Sequence, residues 1–390
     1  MKFCFLIAEY NPFHNGHLRH IEHIKNDLGA EKVIVIMSGN FTQRGEMAIL
    51  DKYTRARHAI IAGADMVIEL PTVFANGNAE TFAKGAINII SSLGVEGGLC
   101  FGVESGLKDD YLKLARALND ESKEYKNALK EHLESGVSLA KAKFLALKDT
   151  SDGEFNEELI SSPNNILGIE YTKAILKNNL SLEIFPFERN SCHNDLTLKK
   201  GITSASSIRN ALLLNKKGKV KKCLPKFVFK DLKPLNSNFE NMLLTALLLS
   251  SSEKLKDLPD CTEGLENRIK ALSKDNLNLE QLIEKISTKR YTKARIRRIL
   301  VANLLSITND TTFDALNSKL YAKVLAVNES AKDLISLLSS TSSVPLITRK
   351  SDVVNLKKTA EKIFKIDTLA VDLFNLANGV KLNEYQTLFV

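Results

Sequence analysis

The apolar run Phe3-Cys4-Phe5-Leu6-Ile7-Ala8 passes directly into Glu9-Tyr10-Asn11-Pro12-Phe13-His14-Asn15-Gly16-His17. Six apolar residues that stop at a proline-bearing turn predict a buried first strand, and the His-x-Gly-His behind them predicts the start of a helix. Free backbone N–H groups converge at such a start, so strand, turn and helix in this order build a phosphate site at the end of a first parallel strand. Gly16 lets the backbone approach an anion closely. His14 and His17, three residues apart, face the same anion and donate to its oxygens as charge builds during attack at phosphorus. The plainer alternative is that the pair only caps a helix. Its position directly after the first strand favours the phosphate site.

Strands and helices alternate from there. Val33-Ile34-Val35-Ile36-Met37 ends at Ser38-Gly39-Asn40, Asp51 can cap a helix through Ala62, and Ala64 to Leu70 is a third strand stopped by Pro71. A helix from about Glu80 to Leu93 leads to a fourth strand, Gly98 to Val103. Residues 107–148 form a helical excursion with a solvated, mixed-charge face. Ser162-Pro163-Asn164-Asn165 then enters another helix, and Leu182 to Phe187 is a fifth strand. The expected class is α/β, a Rossmann-like parallel sheet built from right-handed crossovers. After Arg189 and a polar loop, Thr203-Ser204-Ala205-Ser206-Ser207-Ile208-Arg209 reads as a capped helix start whose hydroxyls and arginine make a second anion site.

The 390 residues exceed one ordinary core, and their charge divides them. Residues 216–390 carry 30 basic and 19 acidic side chains, net +11, against 24 and 27, net −3, before them. That asymmetry predicts a catalytic domain, 1–215, followed by an all-helical basic domain, 216–390, that meets a polyanion. Within it, Lys289-Arg290-Tyr291-Thr292-Lys293-Ala294-Arg295-Ile296-Arg297-Arg298 places six cations and a tyrosine on one expected helix, with no acidic residue between Glu284 and Asp310 to neutralise them. This pattern suits an RNA backbone and a stacked base. The stretch beyond Asp310 is expected to be helical packing or dimer surface, and the oligomeric state is left open.

Five scattered cysteines, Cys4, Cys100, Cys192, Cys223 and Cys261, signal neither a zinc site nor a disulfide framework and fit the reducing cytoplasm. The apolar run after Met1-Lys2 is too short for a signal peptide, and no run approaches the ~18 apolar residues of a membrane span.

Together the early His-x-Gly-His and the late Ser-Ser-Ile-Arg resemble the paired motifs of the nucleotidyltransferase superfamily. Ala8 to His17, Met37-Ser38-Gly39-Asn40-Phe41-Thr42-Gln43-Arg44-Gly45-Glu46, Pro163-Asn164-Asn165-Ile166-Leu167-Gly168 and Lys289-Arg290-Tyr291-Thr292 narrow the likeness to the tRNA(Met) cytidine acetate ligase family. Membership implies ATP-dependent activation of acetate to acetyl-adenylate, then transfer to the exocyclic amine of the wobble cytidine of elongator tRNA(Met), giving N4-acetylcytidine. Mg²⁺ is expected to share the triphosphate charge. His14 and His17 are expected at the α-phosphate and leaving group, with Ser206 and Arg209 on the outer phosphates.

By the same resemblance the ATP contacts are the span Ile7 to His20, Gly102, Asn164 or Asn165, and Arg189. The residues after the second histidine, Leu18-Arg19-His20-Ile21-Glu22-His23, put Arg19 where family members tend to carry an aromatic, which speaks against a stacking role at that position. His20 and His23 either extend a cationic face or sit half buried. Phe13, Gly39 and Phe41 are candidates for an acetate pocket by sequence nearness alone. Two alternatives stand beside this reading: a small-molecule adenylyltransferase, which has no use for a basic helical domain, and an inactive RNA-binding adaptor, against which intact His14, Gly16, His17 and Arg209 speak.

Overall fold

β1 (Phe3–Ala8) ends at the proline turn and α1 (Asn15–Asn26) opens behind it in the computed structural model, which describes residues 1–120, 122–137, 139–150, 157–189, 203–232, 238–275 and 278–390. The polar stretch expected between Arg189 and Thr203, Cys192 included, lies outside the described residues. β2 (Lys32–Ser38), β3 (Met66–Leu70), β4 (Gly97–Val103) and β5 (Leu182–Glu188) follow where the apolar runs put them. Between them run α2 (Lys52–Ile61), capped by Asp51 accepting from the Thr54 N–H at 2.8 Å, α3 (Ala79–Ser92) and α4 (Pro163–Lys177).

The sheet order is β5-β4-β1-β2-β3, all parallel. The chain steps outward from β1 through β2 to β3, then returns to lay β4 on the other side of β1. Strand order therefore reverses between β1 and β4, and the crevice beyond their carboxyl ends is where an open α/β sheet holds a ligand. Period-two alternation sends Phe3 and Phe5 of β1 and Ile34 and Ile36 of β2 into one core, and Cys4, Leu6, Val33, Val35 and Met37 into the other. Helices cover both faces, which is why the central strands are apolar throughout.

α5 (Ala205–Leu213) leads into the second half, which is mostly helical and includes α6 (Lys293–Leu305). It is not helical throughout. β6 (Ala322–Val327) pairs antiparallel with β3, and β7 (Leu346–Ile347) and β8 (Leu388–Phe389) pair parallel with β6. Ala322-Lys323-Val324-Leu325-Ala326-Val327 is buried at every position, and a short apolar run of this kind has no periodicity to separate strand from helix. At this seam Lys52 lies 2.7 Å from Glu69 and 2.6 Å from Glu384, while Lys323 pairs with both carboxylates, all four side chains being buried. Residues 322–389 thus complete a sheet that residues 3–188 begin. No helix among the described residues is long and apolar enough to cross a membrane.

Candidate active site

At the carboxyl ends of β1 and β4 lies a cavity of about 600 Å³, closed at the sides by α1, α4, α5 and the first turn of α6. Its floor is the start of α1, where the two histidines cap the helix with each other. His14 Nδ1 accepts from the Gly16 N–H at 3.1 Å, and His17 Nδ1 accepts from the His14 N–H at 3.2 Å. The rings stack with centroids 3.7 Å apart. Because each Nδ1 is an acceptor, each proton sits on Nε2, so both rings present a donor. His14 Nε2 is buried with no protein partner, a donor left over for a ligand. Capping, one of the two alternatives posed by the sequence, uses Nδ1 of each ring and leaves Nε2 for the other.

These donors are neutral. Burial, with Arg189 nearby, brings His14 down to about 3, and burial followed by His14, Arg189 and His20 holds His17 well below the ordinary imidazole range. His20 adds no cation to the pair: it is stacked on Phe187 at 4.7 Å, its Nε2 lies 3.1 Å from Cys100 Sγ, and burial brings it down to about 3 as well, while half-buried His23 lies 2.7 Å from Asp27.

Positive charge comes instead from arginines. Arg209, on α5, donates to the Asn11 carbonyl at 2.8 Å and pairs with Glu46 at 3.2 Å, tying the second anion segment to the turn after β1. Ser204 caps α5, its Oγ accepting from the Ser207 N–H at 3.1 Å, and leaves Ser206 lining the cavity. Arg189 lies across Gly102, where a Cβ would come within 2.8 Å of its Cδ, and donates to Asn164 Oδ1 at 3.1 Å. Gly102 is therefore small to admit the Arg189 stem, a role the expected nucleotide contact did not anticipate.

Several expected contacts stand elsewhere. Asn164 lines the cavity, but Asn165 is fully buried behind it, its Oδ1 accepting from the Glu104 N–H and the Tyr111 hydroxyl at 2.9 Å each. Adjacent helical residues point about 100° apart, so only one of the pair can face a ligand. Pro12 and Phe13 are buried, Asn15 donates to the Lys222 carbonyl at 3.1 Å, Leu18 is half-buried against the core and Arg19 is exposed; none of the five lines the cavity. Ile7 to Asn11, His14, Gly16, His17 and His20 do. Nor do the acetate candidates: Phe13 and Phe41 are core residues, and Gly39 is packed against Glu69.

The basic segment also differs from its expected form. Thr292 caps α6, its Oγ1 accepting from the Arg295 N–H, so Lys289, Arg290 and Tyr291 precede the helix. Acidic partners arrive from other elements: Glu263 for Arg290, Glu284 for Lys293, Glu280 for Arg297 and Asp260 for Arg298. Arg295 covers the Tyr291 ring at 5.0 Å. Sequence distance concealed these acids, which lie close in space but far along the chain.

Proximity concealed a gain as well. Thr292, Ala294 and Arg298 line the same cavity as the histidines, and so do Gln43 and Arg44 from the loop after β2. That loop meets α6 at Gly45, whose φ of +69° and missing side chain let it lie against the Arg297–Arg298 backbone. An arginine followed by a glycine in the loop past a strand's carboxyl end was the available signal for Arg44. Among the described residues no group of three or more His, Cys, Asp or Glu side chains converges, so a metal held by the protein alone has no donor set there.

A family model described as HIGH Nucleotidyl Transferase matches residues 1–387. The tRNA(Met) cytidine acetate ligase of Thermoanaerobacter sp. (strain X514) is 38% identical over 382 residues, covering 95% of this chain and 94% of that one. The Acetivibrio thermocellus protein of the same name is 37% identical over 395 residues, covering 96% and 94%. Crystal structures of Thermotoga maritima TmcAL match along the whole of both chains at 27% identity, with TM-scores of 0.93 for the apo form and 0.91 for the form bound with α-thio ATP.

Proposed function

This chain belongs to the tRNA(Met) cytidine acetate ligase family, and from that premise we propose that it joins acetate to ATP as acetyl-adenylate, releases pyrophosphate, and acetylates the wobble cytidine of elongator tRNA(Met). The observation that carries the site assignment is the mutually capped histidine pair, with its leftover Nε2 donor at the switch point of the sheet.

An acetate oxygen attacks the α-phosphorus as pyrophosphate departs, and the protein's part is placement and charge neutralisation. His14 and His17 donate from Nε2 to the α-phosphate and leaving oxygens, and neutral donors fixed beforehand need no reorganisation during the step. Ser206, Arg209 and Arg44 meet the outer phosphates, while Gly102, Asn164 and Arg189 hold the nucleoside side. Mg²⁺ would come with ATP and would share the triphosphate charge, since no cluster of His, Cys, Asp and Glu among the described residues would hold it by itself.

In this reading residues 1–215 carry activation and the helical part of 216–390 meets tRNA. The RNA contacts in this reading are Lys289, Arg290, Tyr291, Lys293, Arg295, Arg297 and Arg298, a segment of which Arg298, with Thr292 and Ala294, lines the cavity. Exposed ion pairs such as Arg290–Glu263 contribute only about 0–1 kcal/mol, so they exchange readily for RNA phosphates. A reducing cytoplasm suits both substrates and the buried side chains of Cys4, Cys100, Cys223 and Cys261.

The test is acetate-dependent exchange of labelled pyrophosphate into ATP, with other small acids as controls and with and without bulk tRNA. Exchange with acetate, followed by tRNA acetylation, is expected. Exchange with no acid under either condition would refute the activation step.

A further inference from the structure

We propose that Glu9 is the catalytic base for the second step, taking the proton from the exocyclic amine as the acetyl group is transferred. The inference rests on the acetate ligase reading above and extends it to a residue so far treated only as part of an ATP-binding span.

The amine of a cytosine ring is a poor nucleophile, because its lone pair is shared with the ring. Transfer is assisted when the proton leaves as the nitrogen attacks, and that needs an acceptor within reach. Balance is complete: the amine nitrogen forms a bond to the acetyl carbonyl carbon, the bond from that carbon to the phosphate oxygen breaks, AMP departs with the electron pair, and the N–H proton goes to a Glu9 oxygen and then to solvent.

The cavity leaves little else to do this. Among the described residues lining it, Glu9 is the one acidic side chain. His14 and His17 hold their protons on Nε2 because each Nδ1 already accepts a backbone N–H, so neither has a lone pair to offer the cavity. His20 is stacked on Phe187 with its Nε2 against Cys100. Arg44, Arg189, Arg209 and Arg298 only donate. Burial lifts the Tyr10 and Tyr171 phenols far above neutrality, so neither is a phenolate.

Glu9 is also held in place. Its Oε1 accepts from the Gln43 N–H at 2.7 Å, and its backbone carbonyl accepts from Arg55 at 2.7 Å. Burial raises its carboxyl above the ordinary range; the Gln43 N–H, Arg209 and Arg44 act against that, and Glu46 adds to it. Arg55 from α2 and Tyr171 from α4 complete the charged and titratable groups facing it. A carboxylate lifted toward neutrality is a stronger base than an exposed one.

Glu9→Gln keeps an oxygen for the Gln43 N–H and removes the base. Two half-reactions are measured on the full chain: acetate-dependent pyrophosphate exchange, and single-turnover transfer of labelled acetyl from enzyme-bound adenylate to a tRNA(Met) transcript. We expect transfer to fall by about 100-fold and exchange by less than tenfold. Wild-type transfer should rise with pH through an acidic limb that the variant lacks, and Glu9→Asp should recover part of the rate. Equal losses in both half-reactions would overturn the proposal and make Glu9 part of the ATP site. Transfer within twofold of wild type would overturn it as well. If the wild-type chain itself shows no acetate-dependent exchange, the ligase reading fails first, which keeps the two failures distinct.

Discussion

His14 and His17 fix each other's protons through the helix start, so neither acts alone. Replacing His17 by Ala removes one phosphate donor and also frees the His14 N–H that His17 accepts. Pyrophosphate exchange should fall by about 100- to 1000-fold. The double variant His14→Ala, His17→Ala should fall far less than the product of the single losses, read as a double-mutant cycle. Acid stability follows from the same burial. His14 and His20 are held down to about 3, whereas an unfolded imidazole titrates near 6.5. Between those values the unfolded chain binds protons that the folded one refuses, so stability is full above about pH 6.5 and declines as pH falls toward 3. Melting curves from pH 7 to pH 5 should show a falling Tm, and His20→Phe, which keeps a ring against Phe187, should flatten the fall; an unchanged slope would show that His20 titrates freely. At this scale the sequence displayed the histidine pair, Ser206, Arg209 and Arg189, because each sits at a punctuated start or end of an element. It did not separate Asn164 from Asn165, nor disclose the acids opposite the basic segment, because both depend on side-chain direction and on neighbours distant in the chain.

The loop after β2 and helix α6 meet backbone to backbone at Gly45, with Arg298 donating to the Gln43 carbonyl at 3.4 Å and Asn76 donating to the Arg298 carbonyl at 3.0 Å. An alanine at position 45 meets two penalties. Its left-handed φ costs about 1–2 kcal/mol, and its Cβ would lie 2.4 Å from the Arg297–Arg298 peptide. Gly45→Ala should therefore lower stability by at least ~1 kcal/mol in a denaturant melt, and should raise the KM for tRNA as the rim helix shifts; a neutral effect on both would show that the seam yields easily. Strands β1 to β5 were legible because each is an apolar run closed by Gly, Pro or Asn. β6 was not, since it follows a long helical pattern and carries no turn residue of its own inside six buried positions. β7 and β8, two residues each, leave no periodicity to read.

The two halves, which differ so clearly in charge, are bound by one sheet and one buried ion cluster. Removing a single member strands the rest, so Lys323→Met should cost about 3–5 kcal/mol, measured by denaturant titration. A fragment of residues 1–215 should fail to give a cooperative melt, because β3 would present an open edge where β6 belongs and Glu69 would lose Lys323. A well-folded fragment would show that the charge boundary is also a structural one. The antiparallel pairing of β3 with β6 also orders events in time. Synthesis delivers β3 long before β6, and α6 is made between them. Until Val327 has emerged the edge stays open, and by then the helix that walls the cavity already exists. The chain closes its sheet late, after Arg298, the last residue in the chain that lines the cavity, has been made.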